Sequence, residues 1–233
     1  MSPERTTRFL THVKVRLALH ELRPGTGRPL LLVHGLGEST PTAPPPFTES
    51  WPGPVLGLDL TGHGESSRAP GGGYTAEVLM ADVDAALAVM GPCTVVGRGL
   101  GAYVALLIAG ARPELVVGAV LCDGPGLAGG GATPNSPILF QPAQAPAAVP
   151  SPGAPPDPFA LIEMARDVRP GDYASTYARL ALQFSGRDDP IAIAALVRPP
   201  WLTAVAAEPG VVIESLAAAL RRYAAVGLSA APA

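Results

Sequence analysis

The sequence predicts a three-layer α/β/α sandwich built on a mostly parallel sheet. Three observations carry that expectation. Short apolar runs rich in Val and Leu alternate with longer segments of helical period, the pattern of consecutive βαβ units. Most of the short runs are continuously apolar rather than alternating, as strands buried on both faces are. Residues 93–110, CTVVGRGLGAYVALLIAG, set a glycine-rich turn between a β-branched strand and an apolar helix.

Each element follows from its own residues. Residues 11–22 alternate apolar and polar positions and read as one half-buried strand. Residues 29–33 (PLLLV) form a fully buried strand ending at His34-Gly35. Residues 40–46 hold four prolines and cannot form regular helix. Residues 55–58 are a strand that stops at Asp59. Residues 74–90 carry Val78, Leu79, Val83, Leu87 and Met90 near helical period, opened by Thr75 with Glu77 close behind. Residues 115–122 form the next buried strand and stop at Asp123. Residues 124–158 are rich in Pro, Gly and Ala with almost no charge and read as loop or poorly ordered insert. Residues 159–184 return to helical patterning, 201–205 read as a strand, and 211–223 as a closing helix with Arg221 and Arg222 in its last turn. The tail, AAVGLSAAPA, has room for one very short strand.

Composition narrows the function classes. At 233 residues the chain suits one large domain. No apolar stretch approaches the ~20 residues of a membrane span. The start, MSPERTTRF, has no apolar run behind its charges, so no secretory signal is expected and the expected setting is cytoplasmic. A net charge of −3 without a basic block gives no reason to expect nucleic acid or an anionic membrane as partner. Cys93 and Cys122 lie too far apart for metal spacing and read as buried thiols. The histidines are dispersed, so neither a metal nor a cofactor is expected. Fifteen of the sixteen basic residues are Arg, a composition that points to a GC-rich bacterial genome.

Three ordered signatures stand at strand ends: LLLVHGLGES closing at Ser39, LDLTGHGESS at 58–67 and VVGRGLG at 95–101. A fourth segment, ARPELVVGAVLCD, follows at 111–123. In this order they resemble the His-Gly loop, the D-x-x-G-H-G-x-S segment, the nucleophile elbow and the sixth-strand connection of α/β-hydrolases. The resemblance covers 8–124 well and 198–223 loosely. It implies an α/β-hydrolase-like core at 1–124 and 198–233, with a reduced cap inserted at 125–197. It also implies ancestry among serine hydrolases of the esterase, lipase or peroxidase-like type.

Carried over residue by residue, the resemblance leaves the chemistry incomplete. The elbow is Gly97, Arg98, Gly99, Leu100 and Gly101, with Gly99 at the nucleophile position. The N–H groups of Leu36 and Leu100 would be the oxyanion donors, with His34 and Gly35 shaping the pocket. The vestigial acid would be Glu208, after 201–207, or Asp123, after the sixth strand. No histidine follows His63, so the general base is absent. The implied function is a defective pseudo-hydrolase that binds a small apolar ligand or a protein partner in the old cleft. Glycine at 99 would relieve backbone strain of about 1–3 kcal/mol and leave a small void at the pocket floor.

Two alternatives follow from the same residues. One is a weak, non-standard hydrolase in which His34 acts with a water over the oxyanion donors. The other is dinucleotide binding: Gly97, Gly99 and Ala102 spell G-x-G-x-x-A, and Asp123 stands 26 residues after Gly97, near the usual place of a ribose-binding acid. His63 reads as a turn histidine tied to backbone and Asp59 as a turn cap. Arg98 reads as solvent-facing, with a cleft position holding an anionic ligand as its alternative.

Overall fold

The short apolar runs line up as one eight-stranded sheet. The computed structural model describes residues 5–12, 14–134 and 151–226. The strands are β1 (Thr6–His12), β2 (Val15–Arg23), β3 (Leu30–Val33), β4 (Val55–Asp59), β5 (Cys93–Arg98), β6 (Val116–Cys122), β7 (Ile191–Ile193) and β8 (Val211–Ile213). Their order is β1-β2-β4-β3-β5-β6-β7-β8. β2 runs antiparallel to both neighbours, and every other pairing is parallel. The C-terminal ends of β3 to β8 therefore open on one edge. The chain reverses its direction of travel across the sheet between β3 and β5, the crevice where such folds place ligands.

Helices cover both faces unequally. They are α1 (Ala76–Met90), α2 (Leu100–Ala111), α3 (Pro158–Arg166), α4 (Gly171–Phe184), α5 (Pro200–Ala206) and α6 (Leu216–Ala225). Thr75 caps α1, its hydroxyl accepting from the Val78 N–H at 3.3 Å. Eleven consecutive residues of α2, Leu100 to Gly110, are buried, because sheet and helices enclose it on all sides. Leu31, Val33 and Val95 share the larger core with α1, α2, α4 and α5. Leu30, Leu32, Val96 and Val120 face the other way, toward Trp51 and the Ala219, Leu220 and Tyr223 side chains of α6. Arg28 closes the C-terminal end of α6, donating to the Tyr223 and Val226 carbonyls.

Several expected elements differ. Residues 11–22 are not one strand; the hairpin turns between β1 and β2. Residues 201–205 form α5 rather than a strand, since Pro199 and Pro200 occupy the N-cap and first helical positions, where proline starts a helix well. The seventh strand is β7, three residues long and too short to show a period. Residues 211–223 divide into β8 and α6, separated by Ser215, whose hydroxyl accepts from the Ala218 N–H. Residues 159–184 break at 167–170, before Pro170. Within 125–197, α4 packs on α2 and α5, and β7 pairs with β6. The strand expected in the tail falls mostly outside the described residues.

No α-helix connects β3 to β4. Residues 34–54 carry only a 3-10 turn at Pro46–Thr48, because the prolines forbid more. The face of the sheet that holds Leu32 and Val96 is covered there by a loop alone.

Asp82 of α1 ties the exit of β4 to the helix layer. It is 1% exposed and accepts from the Thr61 N–H at 2.8 Å and hydroxyl at 2.9 Å. Burial pushes its carboxyl up to about 7, more than the two Thr61 bonds pull it back. The unfolded value is about 3.9. A group raised on folding favours the folded state while protonated, fully so below the unfolded value, and loses that contribution as pH rises through the folded one. Urea unfolding should therefore show stability falling between about pH 4 and pH 7, by up to roughly 4 kcal/mol. Asp82→Asn should flatten that profile; a flat wild-type profile would contradict the assignment.

Candidate active site

The turn between β5 and α2 has the geometry of an elbow. Gly99 sits at φ 59° and ψ −118°, a conformation that costs an L-residue about 1–3 kcal/mol. Space forbids a side chain as firmly as torsion does. A Cβ on Gly99 would lie 2.1 Å from the Pro125 oxygen and 2.6 Å from the Gly124 carbonyl carbon. The void expected at this floor is absent, because the backbone of 124–125 fills it.

The Pro125 carbonyl does more than fill space. It accepts from the Leu100 N–H at 2.9 Å and from the Leu36 N–H at 3.0 Å. These are the two donors expected to form the oxyanion hole. The structure brings them onto one acceptor, and that acceptor belongs to the chain itself. Gly126 follows at φ 77°, turning the chain away from the hole.

Two buried side chains hold this plug. Arg169, 0% exposed, donates from Nη1 to the Gly126 and Leu127 carbonyls at 2.7 and 2.9 Å. Its Nε donates to Asp167 at 3.1 Å, and its guanidinium lies 4.5 Å from the Tyr103 ring centroid. Trp201 Nε1 donates to the Leu127 carbonyl at 2.8 Å. The sequence reading missed Pro125 and Arg169. The only hint was Gly-Pro-Gly at 124–126 directly after a buried strand.

The expected acids and bases are engaged elsewhere. Asp123, at the end of β6, accepts from the Leu196 and Val197 N–H groups at 2.7 and 3.0 Å, lacing β6 to the loop after β7. Glu208 follows α5 rather than a strand and pairs with Arg179 at 2.7 Å. After β8, Glu214 bonds Arg222 and Ser215 caps α6.

His34 and His63 are backbone struts. His34 Nε2 accepts from the Leu60 N–H at 3.0 Å, so its proton is on Nδ1, which donates to the Gly35 carbonyl at 2.8 Å. His63 Nε2 accepts from the Gly37 N–H at 3.1 Å and its Nδ1–H donates to the Thr61 carbonyl. Burial lowers both imidazole pKa values, that of His63 to about 3. Neutral rings with both nitrogens occupied cannot collect a proton from a nucleophile.

One hydroxyl–imidazole–carboxylate line does exist. Thr7 Oγ1 lies 2.8 Å from His20 Nδ1, and His20 Nε2 lies 3.0 Å from Asp59 Oδ2. It crosses β1, β2 and β4, so Thr7 is four strand spacings from β5, roughly 19 Å. Asp59 also accepts from the Thr40 and Glu65 N–H groups at 2.7 and 2.8 Å. Burial acts to raise its carboxyl, but the His20 bond and these backbone donors outweigh that and hold it well below the usual range. This line braces strands.

Other nucleophiles and ligands fare no better among the described residues. Burial pushes the Cys93 and Cys122 thiols up to about 12, where little thiolate exists at neutral pH. No group of three or more His, Cys, Asp or Glu is placed to hold a metal. Among the described residues, no helix is long and apolar enough to cross a membrane. The dinucleotide reading loses its phosphate-binding Leu100 N–H to Pro125 and its ribose acid, Asp123, to Leu196 and Val197. Arg98 is half-exposed, its Nε donating to Glu38 at 2.9 Å, beside a groove of about 260 Å³ under the 34–54 loop.

Comparison with known proteins agrees with the topology. The thioesterase domain from the curacin biosynthetic pathway aligns over 95% of this chain and 99% of its own length, at 18% identity and a TM-score of 0.62. Lip1 from Acinetobacter baumannii AYE aligns over 52% of this chain at 24% identity and a TM-score of 0.42. The epoxide hydrolase VrEH1 from Vigna radiata aligns over 59% at 20% identity and a TM-score of 0.44. This chain spans 42% and 43% of the lengths of the latter two. Residues 30–231 match the model of the alpha/beta hydrolase family. By that match, running from β3 to the C-terminal segment, the chain belongs to the alpha/beta hydrolase family.

Proposed function

We propose that this chain is a non-catalytic member of its family, a hydrolase scaffold whose oxyanion hole is closed by its own backbone. The Pro125 carbonyl, shared by the Leu36 and Leu100 N–H groups, carries the reading. An oxyanion donor contributes about 2.7–4 kcal/mol to a transition state, but only where the substrate oxygen can reach it. Here an intramolecular acceptor holds both donors and pre-empts that contact.

Two further observations support it. Gly99 offers no nucleophile, and loss of a nucleophile alone forfeits on the order of 10⁶ in turnover in a measured serine protease. The imidazole that would replace the missing base, His34, is buried, neutral and bonded at both nitrogens. The weak-hydrolase alternative therefore loses His34 as its proton acceptor.

Wild-type protein should hydrolyse p-nitrophenyl esters no faster than buffer and take no fluorophosphonate label, and Gly99→Ser should behave the same. Labelling, or turnover lost on His34→Ala, would overturn the reading. Gly99→Ala should lose about 2–4 kcal/mol in urea unfolding, from its left-handed backbone and its collision with Pro125; an unchanged midpoint would show the hole to be open. Arg169→Met should speed hydrogen exchange at the Leu36 and Leu100 amides by about tenfold or more, since removing one member of a buried charged set costs about 3–5 kcal/mol. Protection at wild-type levels would show that Arg169 does not hold the plug.

A further inference from the structure

The groove beneath the 34–54 loop exists because that loop is not a helix. Leu32 and Val96 form its floor, 8% and 5% exposed, on the face of the sheet turned toward α6. Phe47, in the 3-10 turn, stands at its wall with 38% exposure. About 260 Å³ is open there, room for a small molecule and too little for a protein element.

Two polar features decide what such a molecule would be. Thr40 lines the groove at 5% exposure, and its Oγ1 is buried without a hydrogen-bond partner. A buried hydroxyl left unpaired costs about 1–3 kcal/mol, so a ligand that completes it gains by doing so. At the rim, Arg98 Nε donates to both Glu38 oxygens at 3.2 and 2.9 Å. That pair neutralises itself, so the rim favours neither sign of charge.

We infer that this groove binds a small uncharged aromatic or alicyclic molecule carrying one hydroxyl or carbonyl oxygen, its ring on Leu32 and Val96 and its oxygen at Thr40. The groove borders the elbow at Arg98, but its binding is read directly, so it stands or falls independently of whether the chain hydrolyses anything.

Titration by NMR with benzyl alcohol, toluene and benzoate tests it. Benzyl alcohol should bind saturably and at least as tightly as toluene, although toluene is the more apolar, and benzoate should bind about tenfold more weakly. Thr40→Val keeps the shape and the backbone N–H while removing the hydroxyl. It should weaken benzyl alcohol about fivefold, leave toluene unchanged and leave the protein no less stable. Phe47→Ala, at an exposed turn, should weaken both neutral probes alike with the fold intact. Val96→Phe should fill the groove and abolish binding. Equal affinity of wild type and Thr40→Val for benzyl alcohol, tighter benzoate than benzyl alcohol, or binding that survives Val96→Phe in folded protein would each overturn the proposal.

Discussion

A single carbonyl oxygen, that of Pro125, organises the active-site end of this molecule. It receives the N–H of Leu36 from the loop after β3 and the N–H of Leu100 from the start of α2. Those amides point outward from a β-strand end and a helix N-terminus, where no intra-element partner exists. Donors without such a partner leave a vacancy for an acceptor. Here it is filled from within, and three features follow from it. Gly99 must lack a Cβ, Gly126 must turn the chain back at positive φ, and Arg169 with Trp201 must hold the carbonyls that come next. Glycine at 99 and the carbonyl at 125 are one structural fact, since a Cβ at 99 and the Pro125 oxygen would claim the same space.

The polar residues around the strand ends have become struts. Asp59 gathers His20, Thr40 and Glu65 onto one carboxylate. His34 and His63 each bridge two backbone groups from different loops. Asp123 and Glu214, both standing just after strands, bond backbone or arginine rather than an imidazole. Each sits where a triad component or its support would be sought, and each spends its hydrogen-bonding capacity on the fold. Burial reinforces this division. It favours the neutral histidines, while Asp59 keeps its charge only because three donors compensate it.

Much of the architecture was legible because burial writes itself into long apolar runs. β3, β5 and β6, with α1 and α2, fall close to where their residues place them, and the glycine-punctuated ends of β3, β4 and β5 mark the edge where the site lies. Legibility failed where elements were short. β7 and β8 have three residues each, less than two periods of a strand, and they are strands because β6 supplies an edge for β7 and β7 one for β8. α5 was misread because Trp201, Leu202 and Val205 suit either element; the prolines before them decided for helix.

What the sequence determined by itself was the fold class. Strand–helix alternation, ordered glycine signatures, Gly99 and the absence of any histidine beyond His63 are properties of the residues alone. Only tertiary structure decided what the Leu36 and Leu100 N–H groups meet. Whether a vacant pair of N–H groups meets water, substrate or the chain's own Pro125 depends on how a Gly-Pro-Gly turn packs against residues more than forty positions away, at Arg169 and Trp201. Hydrogen-bond satisfaction of a buried backbone is a property of the assembled interior, and local sequence pattern carries no record of it.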